Sequence, residues 1–418
     1  MKILLVTLYF PPAGGGGVQR PLKLATHLPG YGIETHVLAP DDPKWVHRDD
    51  ELVAPSQAWV HRAQYVGPTG KRPADELHGT EGFERFATQV RLFGRRLLVP
   101  DENVSWNLTA IPAATRIVKS EGVDAVITTS PPNSIHLIGA AVKRLTGVRW
   151  VADLRDSIAA HPHRRTDSLA VRAKESTAAG IARLVAHSAD AIVAAAEAIA
   201  DEARTLEPSA PVTTIPNGCD FDDFAGLEYR PGERFTITHA GSFFGRRDPR
   251  PFLQALADSK LDAVARFVGD FRPADREWAE ELDLGGRLEL VPHASHHRAL
   301  ELQRSSDALL LLIPEADGRG RGVLSGKVFE YLAAERPILA VVPPDGAAAE
   351  LLREVGNGVV AAPEDVDAIR EALAEMHARW QAGSLNGEPL AEDVRERLDR
   401  RSRVREYADL LLNLGTTA

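Results

Sequence analysis

Two successive series of short apolar runs, separated by stretches of helical periodicity, constrain this chain more than any other feature. In the first half the runs lie near Ile3–Thr7, Glu34–Leu38, Ala125–Thr128, Trp150–Asp153, Ala191–Ala194 and Val212–Ile215. In the second they lie near Thr236–Ala240, Ala265–Val268, Leu288–Val291, Ala308–Leu312, Ile338–Val341 and Gly358–Ala361. Strands alternating with helices predict an α/β protein with parallel sheets covered by helices on both faces. At 418 residues the chain exceeds one ordinary core and suits two domains of about 200 residues each. The first domain is expected over 1–207 and the second over 235–395. Between them, 208–234 reads as a linker punctuated by Pro208, Pro211, Pro216, Gly218, Pro231 and Gly232. The remainder, 396–418, carries a final amphipathic helix, Glu396 to Leu414.

The stretch Ser325-Gly326-Lys327-Val328-Phe329-Glu330-Tyr331-Leu332, followed by Pro337-Ile338-Leu339-Ala340, reads as a loop opening a helix and then a short strand. Ser325 is an N-cap, so the first-turn N–H groups can meet an anion, and Lys327 adds a full positive charge there. Glu330, one turn in, can accept hydrogen bonds from a vicinal diol such as a ribose. An ordinary surface helix with a capping Ser is the alternative.

At the other end, Lys2-Ile3-Leu4-Leu5-Val6-Thr7 is a buried-strand run, followed by Pro11-Pro12 and Gly14-Gly15-Gly16-Gly17-Val18-Gln19-Arg20. A helical face of Leu22, Leu24, Ala25 and Leu28 comes next. A Gly-rich strand-to-helix turn lets backbone approach a ligand closely. It is not a P-loop, since no Gly-Lys-Ser/Thr follows. Gln19 stands where the dinucleotide fingerprint needs its third Gly, which argues against a nicotinamide enzyme. In open α/β sheets ligands sit beyond the carboxyl ends of the strands, where each of these motifs falls.

The residues alone reach a two-domain α/β protein that binds phosphate and a diol. The chain also resembles a family 4 glycosyltransferase. The resemblance rests on the Gly-rich loop, Val151-Ala152-Asp153-Leu154-Arg155-Asp156, Ile215-Pro216-Asn217-Gly218-Cys219-Asp220, His239-Ala240-Gly241-Ser242-Phe243-Phe244-Gly245-Arg246-Arg247, and the Ser325 to Leu339 block. These occur in family order over nearly the whole chain. The resemblance implies two Rossmann-like doubly wound domains facing across a cleft (the GT-B fold), with the C-terminal helix packing back on the N-terminal, acceptor-binding domain. It implies retaining transfer of a sugar from a UDP- or GDP-type nucleoside-diphosphate sugar to a hydroxyl acceptor, with no cofactor and no metal. Envelope polysaccharide or glycolipid assembly is the leading context. Natural-product tailoring, an epimerase or hydrolase on the same architecture, and a non-catalytic sugar-nucleotide-binding protein are the alternatives.

On that resemblance, donor is bound by Gly16, Gly17, Ser242, Arg246, Arg247, Ser325, Gly326, Lys327 and Glu330, with Gly14–Gly17 walling the cleft opposite the donor. Two positions depart from the family pattern. Ser242 stands where a basic residue usually follows Gly241, leaving charge to Arg246 and Arg247, which can grip phosphate or pair with Asp248 in a solvated loop. Gly322 stands where the first of two spaced Glu residues is expected, and this chain resembles the branch with a Ser/Pro-Gly-Lys-Leu-Phe-Glu-Tyr-Leu form. The basic, Gly-rich run Gly318–Gly322 can close on phosphate or be a plain loop. Retention in the family is explained by a front-face process in which the protein orients reactants and stabilises the departing diphosphate. Asp156, then Asp153, are the catalytic candidates for orienting or deprotonating acceptor; capping by Asp153 and pairing of Asp156 with Arg155 is the structural alternative. His136 and Arg155 are the acceptor candidates, His136 otherwise packing structurally.

Composition sets the remaining limits. Net charge is −10, so the whole molecule is no nucleic-acid binder. The single Cys219 excludes a disulfide framework and suits a reducing cytoplasm. No apolar segment approaches the roughly 20 residues that span a bilayer, and the N-terminal run does not read as a signal peptide. His293, His296 and His297 lack partners at ligand spacing, so no metal site is expected. The basic and apolar stretch Arg85, Phe86, Val90, Arg91, Leu92, Phe93, Arg95, Arg96, Leu97 and Leu98 fits either a half-buried solvated helix or a peripheral contact with the inner membrane face.

Overall fold

The computed structural model describes residues 1–42, 47–68, 82–96, 98–158, 169–243, 246–315, 320–387 and 389–416. Phe244, Gly245, Gly318, Arg319 and Leu97 lie outside the described residues, as do the side chains of Val90–Phe93, Arg95 and Arg96. The chain divides into two compact units, Met1–Pro216 with Arg401–Ala418, and Asn217–Arg400.

The first unit is built on seven parallel strands: β1 (Lys2–Val6), β2 (Glu34–Pro40), β3 (Ala58–Ala63), β4 (Ala125–Ser130), β5 (Arg149–Leu154), β6 (Ala191–Ala194) and β7 (Val212–Thr214). Their order is β3-β2-β1-β4-β5-β6-β7, so the direction of winding reverses between β1 and β4. Successive side chains of β1 point to opposite faces and are apolar on both. Ile3 and Leu5 pack with Val18, Leu22 and Ala25 of helix Gly16–His27, and with Val404, Tyr407, Ala408 and Leu411 of the C-terminal helix. Leu4 and Val6 pack against Ala110, Ala114, Ile135 and Ile138 of the helices on the other face. The C-terminal helix thus completes the first unit's core.

The second unit repeats the scheme with six parallel strands: β8 (Phe235–Ala240), β9 (Ala263–Val268), β10 (Leu288–Val291), β11 (Ala308–Leu312), β12 (Ile338–Val341) and β13 (Val359–Ala361). The order is β10-β9-β8-β11-β12-β13, reversing between β8 and β11. The doubly wound α/β expectation therefore holds for both units.

Three differences from the sequence reading are instructive. Strand β3 was not expected: it is an edge strand, Ala-Trp-Val-His-Arg-Ala, whose Trp59 is 63 % exposed, so it lacks the apolar signature of the central strands. The segment 208–234, read as a linker, holds the expected run at Val212–Ile215 as β7 of the first sheet and, unforeseen, a short 3-10 helix, Phe221–Phe224, in the second unit. The single final helix is two, Glu392–Leu398 and Arg400–Thr416, because Asp399 turns extended (ψ 130°) and pairs with Cys219. The Cys219 N–H donates to the Leu398 carbonyl (3.0 Å) and the Arg400 N–H to the Cys219 carbonyl (2.9 Å).

Gly139 shows how tightly the helices seat on the first sheet. A β-carbon there would overlap the indole of Trp150, whose Nε1–H donates to Thr128 Oγ1 at 2.8 Å. Overpacking of this kind costs about 1–3 kcal/mol. Gly139→Ala is expected to lower the unfolding free energy by that amount, read as a lower denaturant midpoint with unchanged slope; an unchanged midpoint contradicts the packing described.

Candidate functional site

In the second unit, the turn after β8 and the helix Gly326–Ala333 meet where the strand order reverses. Ser325 caps that helix, its Oγ accepting from the Lys327 N–H at 3.3 Å, as the sequence predicted. The helix is pinned to the end of β8 because the buried Tyr331 hydroxyl accepts the Ala240 N–H at 2.9 Å. Directly beyond lies Gly241 at φ 136°, a backbone state that L side chains rarely adopt. A β-carbon at Gly241 would overlap the Lys327 ammonium, so the glycine makes room for that cation.

Arg247 is buried beside them, its Nη1 donating to the Ser242 carbonyl at 3.0 Å. Two cations and the positive end of a helix thus share one corner. Lys327 makes no hydrogen bond through its ammonium among the described residues. Its pKa is pulled down to about 7 by burial and then by Arg247, with Glu330 opposing. The fully buried His239 holds its Nδ1 2.8 Å from the Leu310 carbonyl, so Nδ1 carries the proton and Nε2 is bare. Burial, Lys327 and Arg247 drive its pKa far down, and it stays neutral.

Ser242 is less free than expected. Its Oγ accepts from the Asp270 N–H at 3.1 Å, tying the β8 turn to the β9 turn, so its hydroxyl is largely spent on loop geometry. Arg246 is half-buried at the same turn, and Gly326 is exposed at the first position of the capped helix. Arg321, in the basic Gly-rich run, is engaged with Glu315 (3.2 Å) and Asp345 (2.8 Å). Glu330 presents a quarter-exposed carboxylate held by Gln303 at 3.3 Å and facing His296 at 3.7 Å. Gln303 escaped the sequence reading, and His296 was weighed there only as a metal ligand, because their partners, Asp223 and Glu330, are distant along the chain.

In the first unit the Gly-rich loop follows β1. Gly15 has φ 90° and starts helix Gly16–His27; Gly17 lies on the Tyr9 ring, where a β-carbon would come within 3.2 Å, whereas Gly16 faces open space. The need for glycine at 17 is thus internal packing, and a ligand would have to explain it only at 16. Arg155 donates to the carbonyls of Ser130 (2.6 Å) and Gly17 (2.6 Å), so it braces the loop from the end of β5. One of its nitrogens, Nη2, is buried without a partner.

Two candidates need correction. Asp153 is fully buried; Arg20 grips its Oδ1 at 2.7 Å, and Thr129 donates to its Oδ2 at 2.7 Å. Arg20 also donates to the carbonyls of Ile215 and Pro216. With both oxygens committed and no exposure, Asp153 is a structural anion and not an acceptor base. His136 is equally buried, with Nδ1 2.9 Å from Thr128 Oγ1, and burial lowers its pKa to about 4. A neutral, enclosed imidazole belongs to the packing around Trp150 and not to an acceptor surface. Asp156, by contrast, is exposed beyond the end of β5.

No group of three or more His, Cys, Asp or Glu side chains that could hold a metal ion occurs among the described residues, and no described helix is long and apolar enough to cross a membrane.

Two parallel doubly wound sheets, each with a Gly-containing turn beyond its first strand, define a two-domain α/β protein of the GT-B class. Residues 15–218 match the family profile described as glycosyl transferase 4-like domain, so the first unit carries a glycosyltransferase domain. Comparison with curated proteins gives no match. Among solved structures, the chain is similar to sucrose-phosphate synthase from Thermosynechococcus elongatus (15 % identity, TM-score 0.70, all of both chains covered). It is similar to Anabaena Alr3699/HepE in complex with UDP and glucose (16 %, TM-score 0.66, 98 % of this chain and 99 % of that one). It also resembles a UDP-N-acetylglucosamine 2-epimerase from Listeria monocytogenes, described as putative (11 %, TM-score 0.54, 97 % and 94 % covered). At such identities the likeness establishes the fold.

Breaking a buried ion pair by removing one charge costs about 3–5 kcal/mol. Asp153→Asn is therefore expected to destabilise the first unit by about that much in denaturant unfolding. A variant as stable as the parent would contradict the structural assignment.

Proposed function

We propose that the protein is a retaining glycosyltransferase of the Ser-Gly-Lys-Val-Phe-Glu-Tyr-Leu branch, moving a sugar from a UDP- or GDP-type donor to a hydroxyl acceptor. The observation that carries this reading is the crowding of Lys327, Arg247 and a helix N-terminus around Gly241, one helical turn from the Glu330 carboxylate. Such a corner suits a diphosphate, and the carboxylate suits a ribose diol. The UDP and glucose held by HepE on a similar fold support the donor class. Lys327 and Arg247 would stabilise the departing diphosphate while the acceptor oxygen adds on the same face of the sugar. Asp156 would orient or deprotonate the acceptor, and Arg155 would act through the loop it braces. We assign the reaction no metal or cofactor. The acceptor is assigned to envelope polysaccharide or glycolipid assembly, at the cytoplasmic side. Exposed Phe83 and Phe86 beside Arg85 support peripheral contact with the inner membrane face.

Gly322 favours a second reading, binding of a sugar nucleotide without transfer. Release of nucleoside diphosphate from UDP- or GDP-sugars by the purified protein separates the two, since a binding protein turns over neither.

The corner also fixes a pH dependence. Burial, and then Arg247, bring the Lys327 pKa down from its ordinary 10.5 to about 7. A bound diphosphate favours the ammonium and raises that value, so binding above pH 7 takes up a proton. Affinity for UDP or GDP is expected to fall as pH rises through that window, by at most about tenfold per unit. The unfolded chain binds more protons than the empty fold between those two values, so stability of the empty fold rises with pH there. Lys327→Met is thus expected to raise the melting midpoint of the empty protein near neutral pH. It should also weaken nucleoside diphosphate binding by about 1.5–3 kcal/mol, with the bare nucleoside little affected. Calorimetry in buffers of different ionisation enthalpy reads both effects; equal losses for nucleoside and diphosphate would place the anion elsewhere.

A further inference from the structure

The helix His296–Arg304 sends two side chains, seven residues and so two turns apart, to the same carboxylate. Gln303 Nε2 lies 3.3 Å from Glu330 Oε2, and a ring nitrogen of His296 lies 3.7 Å from Glu330 Oε1. The other ring nitrogen of His296 is 3.8 Å from Asp223, carried by the 3-10 helix Phe221–Phe224. Gln303 is 1 % exposed and its Oε1 is buried without a partner. A buried amide with an unmet acceptor costs stability that an apolar residue of equal volume would not. Its presence therefore needs a reason, and its amide nitrogen donates to Glu330.

We infer that His296 and Gln303 are positioning residues that fix the plane of the Glu330 carboxylate and so let the site distinguish a ribose diol from a deoxyribose. The inference rests on the reading of Glu330 as the ribose acceptor. Each carboxylate oxygen has two lone pairs. His296 stands at ion-pair distance from one oxygen and Gln303 donates to the other, which leaves at least one lone pair on each for two neighbouring hydroxyls. A carboxylate free to rotate would still attract one hydroxyl but would lose the paired geometry. His296 is also suited to the charged state: burial opposes its protonation, but the Asp223 and Glu330 carboxylates outweigh burial and raise its pKa, while Arg400 opposes them.

The test compares UDP with 2′-deoxy-UDP, and GDP with 2′-deoxy-GDP, by titration calorimetry on the full chain. The parent is expected to prefer the ribonucleotide of the pair it binds. Glu330→Gln serves as the control and should bring the ribo-to-deoxy affinity ratio close to one. Gln303→Met and His296→Leu, tested separately, should each lower the ratio by roughly three- to tenfold, through weaker ribonucleotide binding with the deoxynucleotide little changed. If Glu330→Gln abolishes the preference while both helix variants retain it, the positioning role is overturned and Glu330 keeps its assignment. Equal losses for both nucleotides in both variants mean a purely structural contribution and also overturn it. If Glu330→Gln leaves the ratio unchanged, the ribose reading itself fails and the inference fails with it.

Discussion

A lysine ammonium pressed against the α-carbon of Gly241, beside a buried arginine and at the positive end of a capped helix, is the constraint around which the second unit is organised. Burial, and then the like charge of Arg247, lower the Lys327 pKa, with Glu330 opposing. The surrounding fold holds the cations in place regardless. Tyr331 locks the helix to the end of β8, Ser325 caps it, and Ser242 accepts from Arg247 while tying its turn to Asp270. An anion would relieve the repulsion. Bound there, it would return the stability that burying these charges gives up.

The first unit resolves its charges differently. Arg20 and Asp153 are buried together and satisfied by each other, by Thr129 and by two backbone carbonyls, so nothing is left to meet a ligand. What remains available at the ends of its strands is backbone: the Gly15–Gly17 turn, braced by Arg155, and the exposed Asp156 beyond β5. One unit thus offers two cations gathered at a helix N-terminus and the other a close-approach backbone.

Most of this architecture was legible in the sequence because central parallel strands are apolar on both faces. Ile3–Val6, Ala308–Leu312 and Ile338–Val341 are all buried runs and announce themselves. Strand β3 did not, since an edge strand with an exposed Trp59 and polar neighbours has no such run. The Ser325 cap is local in origin, whereas the place of Lys327 beside Gly241 arises only when two segments far apart in the chain meet. The fate of Asp153 was not legible, because its partner Arg20 lies 133 residues away and a lone Asp at a strand end reads alike whether spent or free. For the same reason, Gln303 carried no signal and His296 none beyond a metal ligand set aside: a carboxylate clamp assembled from Asp223, a helix beginning at His296 and Glu330 exists only after folding. The split of the last helix at Asp399 likewise depended on Cys219, far away in sequence.

The most direct measurement is a crystal structure of the full chain grown with UDP or GDP. The account predicts diphosphate oxygens within hydrogen-bond distance of the Lys327 ammonium and of the first-turn N–H groups after Ser325, beside Gly241. A diphosphate bound elsewhere, with the Lys327 ammonium still lacking an anionic partner, would contradict it.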